Sequence, residues 1–329
     1  MEISDVIKSK CAAVEPVLAG YSRIGDSKTQ EMILHPIKAG GKRIRPCLTL
    51  LACEAVGGDL SKIMPAAASV ELLHTFTLVH DDIMDHDLER RGKPTVHAIW
   101  GDEMGIIVGD TLYSSAFKAL VDVRKNGVPA ERVLDAVDVL VEANGELQEG
   151  QIMDMLFEGR ESVSEAEYMT MIQKKTGALI EAAVKIGCIV GGGSAKQLGA
   201  FSVYGRNCGV AFQIKDDVLD LVADQRVLGK PVGSDIRSGK KTLIIVHALA
   251  KAGKDDRRLI LSVLGRGDAT DAEVGEVIEK LGKTGSIDYA ERKVRELTAA
   301  AKKALDALPD SEAKSSLLEL ADYLIERRG

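Results

Sequence analysis

The sequence predicts an all-α protein built of long helices. Aromatic residues make up only 4% of the 329 residues, whereas Ala, Leu, Ile, Val, Glu and Lys dominate, a composition that favours helix over sheet. Eight prolines in this length are compatible with long uninterrupted helices. At 45% hydrophobic residues the chain can bury a substantial core, and no repeat, low-complexity tract or linker divides it. We therefore expect one domain over residues 1–329.

Composition, charge and cysteine usage exclude several classes of protein. A formal net charge of −7 argues against a general nucleic-acid binder. The five cysteines lie apart and include no C-x-x-C pair, so we expect reduced thiols in a cytoplasmic protein. No apolar run approaches the ~18 residues of a membrane span, and the amino terminus lacks a signal-peptide core. Contact with a membrane is expected to be peripheral at most.

The first part of the chain predicts three helices and a basic connection. The helices are expected over residues 3–19, 27–38 and 44–56. Ser27 is the predicted N-cap of the second helix. The connection GGKRIRP crowds Lys42, Arg43 and Arg45 beside two glycines, which permit close approach of the backbone to an anion. A solvated basic turn fits this segment equally well when it is taken alone.

The helix predicted over residues 61–87 carries three carboxylates in apolar surroundings. Before Asp81, Asp82 and Asp85 its sequence is apolar on nearly every face, which is typical of a buried helix. In an α-helix Asp81 and Asp85 lie on one face, a turn apart, where like charges repel. No Lys or Arg lies within a turn of the three, and buried carboxylates need a positive partner. Oxygen ligands that leave coordination positions open suit Mg²⁺, which also takes phosphate oxygens.

A second predicted helix, over residues 195–222, repeats this arrangement. It carries Asp216, Asp217 and Asp220 at the same spacing in the segment GVAFQIKDDVLDLV. One D-D-x-x-D motif alone could be a wet helix end with scattered acids. Two copies in apolar helices indicate a shared function. Two acidic helices that face each other across a cavity would hold several Mg²⁺ ions around one highly charged ligand, for which a diphosphate is the candidate.

Basic residues follow each acidic helix. Arg90 and Arg91 come shortly after the first, and paired arginines can bind phosphate bidentately. A Gly- and Pro-rich segment after the second, residues 228–243, holds Lys230, Arg237, Lys240 and Lys241. Such a segment suits a lid that closes over phosphates, although an ordinary surface loop fits its composition equally well. His74 and His80 flank the first triad, but a lone histidine on an apolar helix is more often a core residue than a ligand.

The middle of the chain predicts further long helices. They are expected over residues 104–125 and 130–157. Polar residues on the second of these, including Gln151 and Asp154, would line a cavity, face solvent or contact another subunit. Ser164 and Glu167 form a predicted capping box at the start of the next helix. That helix leads to Lys174, Lys175 and Thr176.

In combination, these segments resemble the trans-isoprenyl diphosphate synthases of the polyprenyl synthetase family. The resemblance covers nearly the whole chain, and its parts follow the family's order: GGKRIRP, ELLHTFTLVHDDIMD, RRGKPTVH, KKTGALI, FQIKDDVLD and GKPVGSDIRSGKKT. Six motifs in order are highly specific. The resemblance implies a single polyprenyl synthetase domain with the isoprenoid synthase fold, a bundle of long helices around a deep central cavity, and a homodimer.

The resemblance also implies roles for individual residues. The Mg²⁺ ligands, which would hold three ions per active site, are Asp81, Asp82, Asp85, Asp216, Asp217 and Asp220. The allylic diphosphate would contact Arg90, Lys175, Lys230 and Lys240. The isopentenyl diphosphate would contact Lys42, Arg45, His74 and Arg91. Thr176 and Gln213 would line the reacting carbon, and together with Lys175 they are the candidate catalytic residues. His80 keeps its interpretation as a core residue.

The activity that this resemblance implies is chain elongation of dimethylallyl, geranyl or farnesyl diphosphate by isopentenyl diphosphate, with release of diphosphate. The growing chain would run toward the residues that precede Asp81, where Phe76 and Thr77 would form a floor. An aromatic residue at this place, without an insertion in D-D-x-x-D, resembles archaeal geranylgeranyl diphosphate synthases, which make a twenty-carbon (C20) product. Farnesyl (C15) and geranylfarnesyl (C25) diphosphate remain alternatives.

Three rival functions are weaker. A class I terpene cyclase shares D-D-x-x-D and the all-α fold but needs no isopentenyl diphosphate site, and it typically carries an Asn/Ser/Glu-type motif where this chain has DDVLD. A metal-dependent phosphohydrolase, suggested by the pair His80 and Asp81, does not explain acids at helical spacing in two apolar helices. A catalytically inactive regulatory subunit would lose aspartates, whereas both triads here are complete.

Overall fold

The all-α class is confirmed. The computed structural model describes residues 2–222 and 232–326, which are almost entirely helical. Within that part of the chain the exception is a short antiparallel hairpin of strands β1 (Glu89–Arg90) and β2 (Lys93–Pro94). None of the described helices has the combination of length and apolar character that crossing a membrane requires.

The helices follow the chain in a regular succession. Helices α1 to α10 span Ile3–Tyr21, Ser27–Lys38, Ile44–Ala55, Leu60–Met84, Val96–Trp100, Asp102–Asp122, Ala130–Glu158, Glu165–Ile172, Ala178–Gly191 and Ala195–Val222. A π-helical turn, Gln173–Gly177, joins α8 to α9, and a 3₁₀ turn, Val123–Asn126, follows α6. Helices α11 to α16 span Ser234–Ser238, Leu243–Lys251, Lys254–Val263, Asp271–Lys283, Ser286–Ala304 and Glu312–Ile325, with a 3₁₀ turn at Leu305–Ala307.

The predicted helix boundaries agree with the structure within three residues, with two informative corrections. The N-cap of α2 is Asp26, whose carboxylate accepts a hydrogen bond from the Thr29 amide at 2.8 Å, and Ser27 is already helical. Helix α4 ends at Met84 rather than at residue 87, because His86 adopts a left-handed conformation (φ 55°) that a helix cannot continue. The predicted capping box at the start of α8 is present.

The segment predicted as an irregular basic loop is described from Val232 onward. Five of its residues form the short helix α11, which the sequence prediction missed, between Gly233 and Gly239 in left-handed conformations. Arg237 donates a hydrogen bond to the Val232 carbonyl at 2.8 Å, and Lys241 is buried. Lys230 lies outside the described residues, so the lid stays a prediction.

The described chain divides into two compact units. The first contains residues 2–142, 179–202 and 305–320, and the second contains residues 143–178, 203–222, 232–304 and 321–326. In the first unit α4 packs against α1, α3 and α6, and 14 of its 25 residues are buried, which explains its apolar sequence. The core of the second unit includes Tyr168, Ile214, Leu243, Val277 and Val294. The single domain stays a prediction.

Candidate active site

The first aspartate triad lies at the carboxyl end of α4. Asp81 and Asp82 are in its last turn, and Asp85 is its C-cap residue. Asp81 is half-buried and Asp85 is exposed. The carboxyl end of a helix carries the negative pole of its dipole, which repels carboxylates placed there. A cation bound between the carboxylates would relieve this repulsion.

Asp82 has a different environment from its two neighbours. It is buried, and the Arg90 guanidinium donates a hydrogen bond from Nε to its Oδ1 at 2.5 Å. Burial raises the pKa of Asp82, and Arg90 opposes this effect. The hairpin that carries Arg90 thus folds back onto the helix end. Arg90, eight residues after Asp82 in the sequence, is therefore the direct cationic partner of this carboxylate, which has no Lys or Arg within one helical turn.

The second triad occupies the corresponding place at the carboxyl end of α10. Asp216 is half-buried, whereas Asp217 and Asp220 are buried. The Asp220 carboxylate accepts hydrogen bonds from the Ser234 hydroxyl at 2.6 Å and from the Asp235 amide at 3.1 Å. Asp220 therefore holds the start of α11 against the end of α10, a structural role that the sequence does not reveal.

Asp217 is held by two side chains. The Tyr168 hydroxyl donates a hydrogen bond to its Oδ2 at 2.7 Å, and the Gln213 amide donates to its Oδ1 at 3.0 Å. Burial and, after it, the neighbouring charge of Asp235 raise the pKa of Asp217 to about 8, although the two hydrogen bonds oppose the rise. A divalent cation would favour the ionised form of this group, because a bound cation reverses the effect of burial on a carboxylate.

The raised pKa of Asp217 predicts that stability without divalent cations depends on pH. Between about pH 4 and pH 8 the folded chain binds more protons at this group than the unfolded chain does. The free energy of unfolding should therefore fall as the pH rises through this window, by at most about 1.4 kcal/mol per pH unit. Urea unfolding in the presence of a chelator should show this contribution disappear in Asp217→Asn. Equal slopes in the wild type and the variant would contradict it.

Lys175 and Thr176 lie in the π-helical turn. The Lys175 ammonium lies 2.5 Å from Oδ2 of Asp154, and the Thr176 hydroxyl donates a hydrogen bond to Oε1 of Gln213 at 2.9 Å. π-Helical turns occur frequently at functional sites. The structure thus brings together Thr176 and Gln213, as the resemblance implies. It adds Asp154, whose role the sequence left undecided.

Three of the predicted isopentenyl diphosphate residues, His74, Arg45 and Arg91, are close enough for the two arginine charges to act on the imidazole. His74 is half-buried, and its pKa is lowered well below the usual value by burial and then by the charges of Arg45, Arg91, Arg43 and Arg90. Lys42 is exposed. A neutral imidazole among several guanidinium groups is an environment that attracts an anion.

Arg91 stands in the turn of the short hairpin. It adopts a left-handed conformation (φ 56°), as does the following Gly92 (φ 71°), and its guanidinium donates a hydrogen bond to the Gly40 carbonyl. The hairpin turn thereby lies against the first basic segment. A pocket opens beside Arg91, with Arg90, Asp82 and Glu71 among the residues that line it.

Arg43 is the anchor of the first basic segment. Its side chain is 2% exposed, with Nη1 2.9 Å from the Glu71 carboxylate and Nε 2.7 Å from that of Glu15. Nη2 donates a hydrogen bond to the Ile37 carbonyl at 2.8 Å. A solvated basic turn does not fit this arrangement, because the middle cation is buried while Lys42 remains at the surface.

Removing the Arg43 guanidinium should destabilise the fold. Arg43→Met would leave the Glu71 carboxylate, 3% exposed, without its cation, and breaking a buried ion pair from one side costs about 3 kcal/mol or more. Urea unfolding should show this loss of free energy of unfolding. Arg124→Met, at an exposed arginine, is the matched control and should change it by less than about 0.5 kcal/mol. Equal values for the two variants would contradict the anchor role.

Phe76 and Thr77 precede the first triad within α4, and both are buried. The Phe76 ring centroid lies 5.1 Å from that of Tyr113, which lies 4.9 Å from that of Phe117. Tyr113 and Phe117 belong to α6 and were not predicted. His80 is half-buried; its ring centroid lies 4.8 Å from that of Phe76, and its Nε2 lies 3.2 Å from the Ile106 carbonyl oxygen. We refer to Phe76, Tyr113 and Phe117 as the aromatic cluster.

The two triads fit a divalent cation by the chemistry of their donors. Both supply carboxylate oxygens alone at helix ends where the dipole adds negative charge. Across residues 2–222 and 232–326, no three His, Cys, Asp or Glu side chains enclose a metal site by themselves.

Comparisons with known proteins point to one family. The sequence model of the polyprenyl synthetase family matches residues 26–281, which include both triads. The geranylgeranyl diphosphate synthase of Methanosarcina mazei is 47% identical over 88% of this chain and 87% of its own. The geranylfarnesyl diphosphate synthase of Aeropyrum pernix is 44% identical over 95% and 99%. The crystal structure of geranylgeranyl pyrophosphate synthetase from Pyrococcus horikoshii is 44% identical, covers 99% of this chain and 98% of its own, and superposes with a TM-score of 0.93.

Proposed function

The chain belongs to the polyprenyl synthetase family, and from this premise we propose that it elongates an allylic diphosphate with isopentenyl diphosphate to geranylgeranyl diphosphate. The family, the isoprenoid synthase fold and a short-chain prenyltransferase, all predicted from sequence motifs, are confirmed by these comparisons. The observation that carries the proposal is the pair of aspartate triads, each at the carboxyl end of a long helix and each within the matched residues.

A divalent cation serves this family, and we propose three Mg²⁺ ions per active site. Asp81, Asp85 and Asp216 are half-buried or exposed and would bind them directly. Asp82, Asp217 and Asp220 are buried and hydrogen-bonded, so they would support the ligands rather than approach the ions first. When bound, Mg²⁺ neutralises charge that develops on the departing diphosphate.

The basic residues complete the two substrate sites. We propose that Arg90, Lys175, Lys230 and Lys240 bind the allylic diphosphate and that Lys42, Arg45, His74 and Arg91 bind isopentenyl diphosphate. The allylic C–O bond breaks and its electron pair leaves with the diphosphate, whose charge the first set of cations stabilises. The isopentenyl double bond then forms the new C–C bond at the allylic carbon. The proton lost next passes to the released diphosphate, so no side-chain base is needed.

The aromatic cluster supports a C20 product. Phe76 lies five residues before Asp81, and Tyr113 and Phe117 stand behind it, so a chain growing along α4 would meet two layers of rings. Relatives with names for both C20 and C25 products share more than 40% of residues with this chain. The bulk of the cluster favours the shorter of these products.

We propose a cytoplasmic homodimer in which residues 1–329 act as one polyprenyl synthetase domain. Four exposed apolar side chains of the first unit, two on α6 and two on α7, support the second copy: Ile106, Ile107, Leu134 and Val141. Large apolar side chains left at the surface are typical of an interaction site. The five free thiols suit a reducing compartment.

The proposal is tested by incubating the purified chain with Mg²⁺, isopentenyl diphosphate and, in separate reactions, dimethylallyl, geranyl or farnesyl diphosphate. Chromatography of the dephosphorylated products should show geranylgeraniol, and a chelator should abolish it. A cyclised hydrocarbon would support a terpene cyclase instead, and phosphate release without elongation would support a phosphohydrolase. No reaction with any primer would point to a regulatory subunit.

A further inference from the structure

The π-helical turn that carries Lys175 and Thr176 is seated between two glycines. A Cβ atom built on Gly150 of α7 would lie 2.7 Å from the Lys175 Cα and closer still to its nitrogen. A Cβ atom on Gly209 of α10 would lie 2.7 Å from the Gly177 Cα. Real side chains do not approach a backbone so closely, so only glycine fits at either position while the turn keeps its place.

Each of these glycines is followed, four residues later, by a polar partner of the turn. Asp154 follows Gly150 and pairs with the Lys175 ammonium at 2.5 Å. Gln213 follows Gly209 and accepts the hydrogen bond of the Thr176 hydroxyl at 2.9 Å. Residues i and i+4 share a helix face. Each helix therefore offers a glycine where the backbone of the π-helical turn can approach and, one turn later, a polar partner for a side chain of that turn.

This double arrangement explains how a π-helical turn can be held rigidly. Isolated π-helical turns are rare, so the surroundings must select the conformation. Here the turn is fixed at its backbone by two close approaches and at its side chains by an ion pair and a hydrogen bond. Gln213 is itself held by its hydrogen bond to Asp217 at 3.0 Å. Lys175 and Thr176 are thereby oriented before substrate arrives.

We propose that Gly150 and Gly209 are positioning residues that fix the Lys175 ammonium and the Thr176 hydroxyl for the reacting end of the allylic substrate. The inference rests on the proposed function and deepens it, since neither glycine would touch substrate. Catalytic groups must be held within a fraction of an ångström, and a displacement of about 1 Å can cost on the order of a hundredfold in rate.

The test is steady-state kinetics of the full chain with Mg²⁺ and both substrates for Gly150→Ala and Gly209→Ala. The same helices supply matched controls, Gly145→Ala and Gly199→Ala, where an added methyl group meets no atom within 4 Å. We expect kcat/KM for the allylic substrate to fall by about tenfold to a hundredfold in the first pair. KM for isopentenyl diphosphate should stay within about twofold of the wild-type value, and the controls should match the wild type.

If the alanine variants do not fold, Asp154→Asn tests the same positioning by weakening the ion pair with Lys175 without adding a heavy atom. It should raise KM for the allylic substrate several-fold and leave KM for isopentenyl diphosphate unchanged. Wild-type kinetics in folded Gly150→Ala and Gly209→Ala, or in Asp154→Asn, would overturn the positioning role while elongation by the wild type stands. A wild-type chain that makes no prenyl diphosphate would overturn the proposed function itself and this inference with it.

Discussion

Asp81→Asn is expected to lower kcat for chain elongation by on the order of 10³-fold at saturating Mg²⁺. The substitution keeps the shape of the side chain but removes the negative charge that a divalent cation needs. Asp81 lies in the last turn of α4, at the negative pole of the helix dipole. This pole is only a partial charge, so it cannot replace the carboxylate as a ligand of the cation. Initial rates with farnesyl diphosphate as primer, over a range of Mg²⁺ concentrations, measure the loss.

Two further variants serve as controls for the interpretation of Asp81→Asn. Asp135→Asn, at an exposed aspartate of α7, should behave as the wild type and controls for a general change in charge. Asp82→Asn should weaken the contact to Arg90 and therefore raise KM for the allylic substrate more than it lowers kcat. The metal-ligand role of Asp81 fails if Asp81→Asn turns over as fast as Asp135→Asn.

Phe76→Ser is expected to move the main product from C20 to C25 or longer. The ring is 9% exposed and is the first layer of the aromatic cluster, so its removal opens space along α4 below the first triad. Phe76→Tyr, which keeps the ring, is the matched control and should retain the C20 product. Reversed-phase chromatography of the dephosphorylated products compares the three proteins directly.

The second layer of the cluster predicts a limit to this lengthening. Tyr113 stands against Phe76, with 5.1 Å between ring centroids, and remains in place in the single variant. Phe76→Ser combined with Tyr113→Ala should therefore give longer products than Phe76→Ser alone. A product distribution that both variants share with the wild type would remove the cluster from the determination of chain length.

Much of the fold could be predicted from the sequence because its helices have strong local signals. The boundaries of α2 and α10 were predicted to the residue, and those of α4 within three residues. The triads could be found because four-residue spacing on an apolar helix is a property of one segment. The error at α2 is instructive: Asp26 and Ser27 both cap helices well, and a propensity rule cannot choose between neighbours.

The partners of the site residues could not be predicted, because they depend on which helices meet. The sequence shows Tyr113 on a helix but not that its ring faces Phe76. From the sequence, Asp154 could line a cavity, face solvent or contact another subunit, whereas in the structure its carboxylate pairs with the Lys175 ammonium. Arg43 looked like any surface cation beside Lys42, and only tertiary packing buries it against Glu71.

The hairpin turn at Arg91 and Gly92 has a consequence for how the protein balances folding against activity. Two successive left-handed residues in a two-residue hairpin are best met by Asn followed by Gly, because a long side chain resists that backbone shape. The chain keeps arginine there and so accepts a weaker turn. Asparagine could not fill the anion-binding role that we propose for Arg91, so a substitution that strengthens this turn is expected to weaken binding of isopentenyl diphosphate.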